Sequence, residues 1–118
     1  MQNLLRHIQI AFGPVRVGIS TISVIELIHG AYRARTDADR FRRPAFADAA
    51  TDDLTVYPVT LEIAQLAGRM DGEQGAKGIA IPFEDLVIGA TDLCFGFDVL
   101  THNVRHFQLI PGLSAVTL

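Results

Sequence analysis

Asp85, Thr101 and Asn103 are the side chains whose types and spacing best suit joint chemistry. Asp85 stands at the head of an apolar run that opens after Pro82 and stops at Gly96, and the polar triplet Thr101, His102, Asn103 closes the short β-prone segment Val99 to Thr101. A carboxylate in the first turn of a helix, beside the carboxyl end of a strand, occupies the crevice where open α/β sheets bind ligands, which makes it an address for a metal ion or a phosphate. Glu26 is the single acid in the first 36 residues. By burial statistics it reads as an exposed rim residue. Its place soon after a strand, in what the pattern makes the first turn of a helix, sets it over the same crevice. Two carboxylates meeting there repel unless a cation lies between them, and a hard divalent ion such as Mg²⁺ takes oxygen donors of this kind.

Other polar residues have two readings each. His106 is a metal ligand or general acid, or a packed or solvated ring beside Phe107. Asp92 falls seven residues after Asp85 on the same helix and either extends the acidic strip or belongs to a solvated face. Asp98 reads as a turn residue after Gly96. Arg33, Arg35, Arg40, Arg42 and Arg43 either guide an anionic polymer such as a nucleic acid or simply solvate a helix. Cys94, the one cysteine, cannot form an internal disulfide and reads as a buried thiol.

The elements that must carry these residues alternate in periodicity, which predicts an α/β fold. Helical spacing covers Asn3 to Phe12 and stops at Gly13-Pro14. Val15 to Ser20 reads as a strand, Ser20-Thr21 as a cap, and Ser23 to Ala34 as a helix. A polar helical segment from Asp37 to Thr51 is expected to bend or divide at Pro44. Thr55 to Pro58 reads as a strand and Thr60 as the cap of a helix to about Met70, with Gly72, Gly75 and Gly78 making a loop. Pro82 opens the helix that carries Asp85, and Ser114 to Leu118 reads as a final strand. No linker or repeat interrupts residues 1–118, so one domain is expected. The chain is 49% hydrophobic and 19% charged with a net charge of −3. It has no bilayer-length apolar run and no signal-peptide layout, which reads as soluble and cytoplasmic. Its charge excludes binding of nucleic acid by bulk attraction.

The order Ile19-Ser20, Glu26-Leu27, Asp85-Leu86, Ile88-Gly89-Ala90, Thr101-His102-Asn103, Phe107 and Ile110-Pro111-Gly112-Leu113 resembles the PIN domain, and more narrowly the VapC-type toxin ribonucleases. The resemblance covers essentially the whole chain. It implies a three-layer α/β/α sandwich around a parallel sheet, RNA cleavage with Mg²⁺ or Mn²⁺, silencing by a cognate antitoxin protein, and a homodimer to which the helix from Asn3 to Phe12 contributes. It makes Glu26 and Asp85 metal-site acids and has Thr101 and Asn103 shape the site.

Two departures stand beside the matches. Members of this family open with a strand bearing an aspartate, and the sequence begins after that point, so the usual first strand is expected to be missing through a misassigned start, proteolysis or a degenerate gene. The family's fourth acid is represented by His106. With two carboxylates left, weak or absent cleavage is expected, and a non-catalytic module that grips an antitoxin arginine is the alternative. A receiver-type phosphoacceptor domain fits less well, since it needs paired acids near the start and a lysine near the end, and the sole lysine is Lys77.

Overall fold

The computed structural model describes residues 2–117, with side chains from residue 5 onward. Contacts divide the chain into two compact units, Met1–Pro58 and Val59–Leu118.

The first unit contains α1 (Gln2–Phe12), β1 (Gly18–Ser20), α2 (Thr21–Tyr32), α3 (Asp37–Asp53) and β2 (Thr55–Tyr57). Gly13, at φ 78°, ends α1 in a left-handed conformation that favours glycine. Ile8 is the buried residue of this helix, while Leu4 of the predicted apolar face lies outside the described side chains. β1 pairs with β2 in parallel, Gly18 opposite Thr55 and Ser20 opposite Tyr57. The expected strand from Val15 shortens to three residues because β2 offers only three partners. Ser20 caps α2, its hydroxyl accepting from the Ile22 amide at 3.2 Å, so α2 begins two residues earlier than its pattern predicts. Thr36 caps α3 by accepting from the Asp39 amide at 3.1 Å, and Asp37 and Asp39 add favourable charge to that first turn. The expected break at Pro44 does not occur and α3 runs on for 17 residues. Pro44 is exposed, so water can serve the carbonyl that loses its intrahelical donor, while Ala47 and Ala50 bury the other face.

The second unit contains α4 (Leu61–Gly75), α5 (Phe83–Phe95), β3 (Val99–Thr101), the short α6 (Val104–Phe107) and β4 (Ala115–Thr117). Leu118, the predicted end of the last strand, lies outside the described residues. β3 and β4 pair in parallel, Val99 opposite Ala115 and Thr101 opposite Thr117. The core is Ile63, Ala67 and Met70 of α4 against Leu86 and Ala90 of α5, closed by Ile81, Val99, Phe107 and Ile110. α4 continues through Gly72 and Gly75, which the sequence assigned to a loop. Its last turn is held by buried Gln74, whose Nε2 donates to the Leu109 carbonyl at 2.8 Å. That bond, at roughly 0.5–1.5 kcal/mol, offsets part of the cost of the two helical glycines, about 1 kcal/mol each.

Gly89 is where α5 meets the segment after α6. A methyl there would collide with Ile110 Cδ1 and lie 3.2 Å from Leu113 Cδ2. Ile110 is only 2% exposed, so its side chain can yield only by shifting against the surrounding core. Gly89→Ala is therefore expected to destabilise by roughly 1–2 kcal/mol, since overpacking outweighs the better helix propensity of alanine. Gly68→Ala on α4, where an added methyl meets nothing within 4 Å, is expected to stabilise by up to about 1 kcal/mol. Urea midpoints of the two variants moving in the same direction would contradict this.

Candidate active site

The head of α5 and the loop from β3 into α6 build the site within the second unit. Pro82 sits just before the helix at φ −54° and supplies no side-chain cap, leaving the first turn to Glu84 and Asp85, whose charge complements the helix dipole. At its other end α5 closes on Gly96 at φ 69°, with Phe97 N–H donating to Asp92 O and Gly96 N–H to Leu93 O. This double bond pattern fixes where the chain turns towards β3. β3 ends on Thr101, whose hydroxyl accepts from the Asn103 amide N–H at 2.9 Å and turns the chain sharply into α6. α6 escaped the sequence reading because four residues carry no periodicity. It forms because Phe107, 4% exposed, anchors it in the core.

That anchoring sends His106 to Asp85. His106 Nδ1 lies 2.6 Å from Asp85 Oδ2 and 2.8 Å from the Asn103 side-chain amide. The shorter contact is a hydrogen bond in which Nδ1–H donates to the carboxylate. The structure places Asn103 Nδ2 against the ring, but with the proton on Nδ1 two donors would meet, so the amide is assigned the flipped orientation with its oxygen facing Nδ1–H. Asp85 keeps Oδ1 without a hydrogen bond among the described residues, and the side chains of Asp85 and His106 are 20% and 42% exposed. His106 is thus neither packed away nor simply solvated.

Asp85, Thr101 and Asn103 therefore lie on adjoining pieces of one unit. Glu26 belongs to the first unit, where it is exposed. It lies in the second turn of α2, beyond the first turn where the sequence reading set it, because Ser20 starts the helix early. Asp92 is half-buried rather than on a fully solvated face. Burial first, and the charge of Asp98 second, push its carboxyl up to about 7. Cys94 is half-buried where a buried thiol was expected, and burial raises its pKa. In the basic segment, Arg42 and Arg43 both pair with Asp39, whose carboxyl the Arg42 hydrogen bond holds below its usual range, and Arg43 also donates to the Gly30 carbonyl at 2.9 Å. Arg42 and Arg43 are thus tied to neighbouring groups on the helix surface.

Among the described residues no group of three or more His, Cys, Asp or Glu side chains converges as a metal cage. What Asp85 offers is the open Oδ1 of one carboxylate, with the Thr101 hydroxyl at the end of β3 and the Asn103 amide just after it. Oxygen donors of this kind suit a hard divalent ion that keeps most of its waters. Among the described residues, no helix is long and apolar enough to cross a membrane.

No family model matches the sequence. Individual proteins do. The chain is 30% identical over 100 residues to Ribonuclease VapC1 of Rickettsia felis, covering 85% of this chain and 75% of that one. It is 28% identical over 116 residues to the tRNA(fMet)-specific endonuclease VapC of Salmonella typhimurium, covering 96% and 85%. Its backbone also follows a chain of the DNA-bound VapBC complex from Salmonella typhimurium, with a TM-score of 0.79 and 26% identity over 99% of this chain and 85% of that chain. The short parallel strand pairs, the helices that flank them in sequence, and this extent of identity agree: the chain belongs to the VapC family of PIN-domain ribonucleases.

Proposed function

We infer that this protein is the ribonuclease toxin of a toxin–antitoxin pair, hydrolysing RNA phosphodiester bonds with Mg²⁺ or Mn²⁺, in the cytoplasm and as a homodimer. The observation that carries the reading is Asp85, set in the first turn of α5 and bridged by His106 to the loop after β3.

Asp85 is the acid assigned to the ion, and Asn103 and Thr101 of the same unit complete the catalytic set. When bound, the ion stabilises charge on the phosphate and makes its water more acidic. The protein's share is orientation. Thr101 fastens Asn103 through its backbone, Asn103 and Asp85 hold the His106 ring from two sides, and the α5 dipole favours an anionic group at its head. The family's solved neighbours are VapBC complexes, which supports an antitoxin as the protein partner.

The test uses purified protein of confirmed mass and end-labelled RNA, with Mg²⁺, with Mn²⁺ and with EDTA. Cleavage that needs the ion and stops on adding the antitoxin is the expected result. Stable capture of the antitoxin with no cleavage under any ion would instead favour the non-catalytic binding module. Cleavage that persists in EDTA would overturn the metal-dependent reading.

A further inference from the structure

His106 and a divalent ion both have a claim on one carboxylate. The imidazole occupies one of the two carboxylate oxygens that would hold an ion at Asp85, with Nδ1 2.6 Å from Oδ2. The contact is no accident of a loose side chain. Phe107 fixes α6 in the core, Thr101 fixes the preceding turn, and Asn103 holds the same ring nitrogen from the other side at 2.8 Å. The ring is therefore held at Asp85 by Asn103, itself fastened by Thr101, and by the anchoring of its neighbour Phe107. It cannot join Asp85 as a co-ligand of a single ion through Nε2. The Nδ1–H bond directs that nitrogen away from the carboxylate, since the two ring nitrogens of imidazole point in diverging directions.

We propose that His106 is a built-in competitor for the metal site: it holds Asp85 Oδ2 and thereby raises the concentration of divalent ion needed to load the carboxylate. The proposal rests on the reading of Asp85 as a metal ligand. An ion that takes both carboxylate oxygens must displace a hydrogen bond to a charged group. An ion that takes Oδ1 alone meets a carboxylate whose charge is already shared with a donor. Either way binding weakens, by about tenfold for a bond of this exposure. The residue thus acts on the ion through Asp85 and tunes the metal threshold without touching substrate.

Mn²⁺ binding, measured by calorimetry and by the loss of the free-ion electron paramagnetic resonance signal, tests this without any RNA. His106→Ala is expected to bind Mn²⁺ about tenfold more tightly than the unmodified chain, and His106→Gln to fall between them. Asp85→Asn should lose binding, and adding His106→Ala to Asp85→Asn should recover none of it. Equal or weaker binding by both His106 variants, while Asp85→Asn still loses the ion, would overturn the competition and leave the metal role of Asp85 standing. Binding that Asp85→Asn does not change would overturn both. Melting curves of each variant report whether α6 stays in place, with His106→Gln as the variant that keeps a hydrogen-bond donor if His106→Ala fails to fold.

Discussion

Asp85→Asn lowers the proposed RNA cleavage on the order of 100-fold or more, equivalent to about 2.7 kcal/mol of barrier, while leaving the melting temperature nearly unchanged. The substitution is close to isosteric, and the amide oxygen of asparagine can still accept from His106 Nδ1–H at the position Oδ2 holds now. What disappears is the negative charge and the second donor oxygen, the properties a hard divalent ion selects. Glu84→Gln is the matched control. Glu84 lies in the same helical turn and meets the same dipole but is exposed. If the charge of the helix head as a whole mattered, both variants would lose activity alike; if Asp85 is the metal acid, only its own variant does. Initial rates over a range of Mn²⁺ concentrations separate the cases, and an Asp85→Asn protein that cleaves at more than half the unmodified rate would remove Asp85 from the site.

The parts of the chain that proved readable are those whose signals are local. α5 needed only a proline before its first turn and a glycine able to take φ 69° at its end, and both lie within the segment itself. β3 followed at Val99 to Thr101 because Gly96 dictated where the chain turned. The misreadings share a non-local cause. The length of β1 is set by β2, some 35 residues away in sequence, and the last turn of α4 by a carbonyl at Leu109. Pro44 misled because its helix-breaking effect depends on whether water can reach the orphaned carbonyl, which is a property of the surface. The acidic residue Asp85 was legible as a site residue by its place in a helix, and Asn103 by its place after a strand. The hydrogen bond that links them through His106 was not, since a histidine's partner is decided by the anchoring of Phe107 beside it. Glu26 shows the reverse case, a residue recognised by type whose turn was misplaced because a cap at Ser20 moved the helix start.

Asp92→Asn is expected to stabilise the protein increasingly as pH rises from 4 to 7. Asp92 has its carboxyl pushed from the ordinary 3.8 to about 7, first by burial and then by the charge of Asp98. The folded chain therefore holds this proton more tightly than the unfolded chain does. Below about pH 4 both states are protonated and the group costs nothing. Between pH 4 and 7 the unfolded chain ionises while the folded chain resists, so the contribution turns steadily against folding, and above 7 it levels off. The full difference corresponds to about 4 kcal/mol at most, and partial access of water to a half-buried carboxyl reduces it to about 2 kcal/mol. Asparagine keeps the shape and cannot ionise. Its advantage over aspartate should be near zero at pH 4 and about 2 kcal/mol at pH 8, read from urea midpoints of both proteins at each pH. Asp98→Asn, which removes only the smaller cause, should recover a minor share at pH 8. An Asp92→Asn protein whose stability difference from the unmodified chain is flat across this range would show that the carboxyl is solvated and ordinary, and that α5 does not bury it where it meets the turn at Gly96.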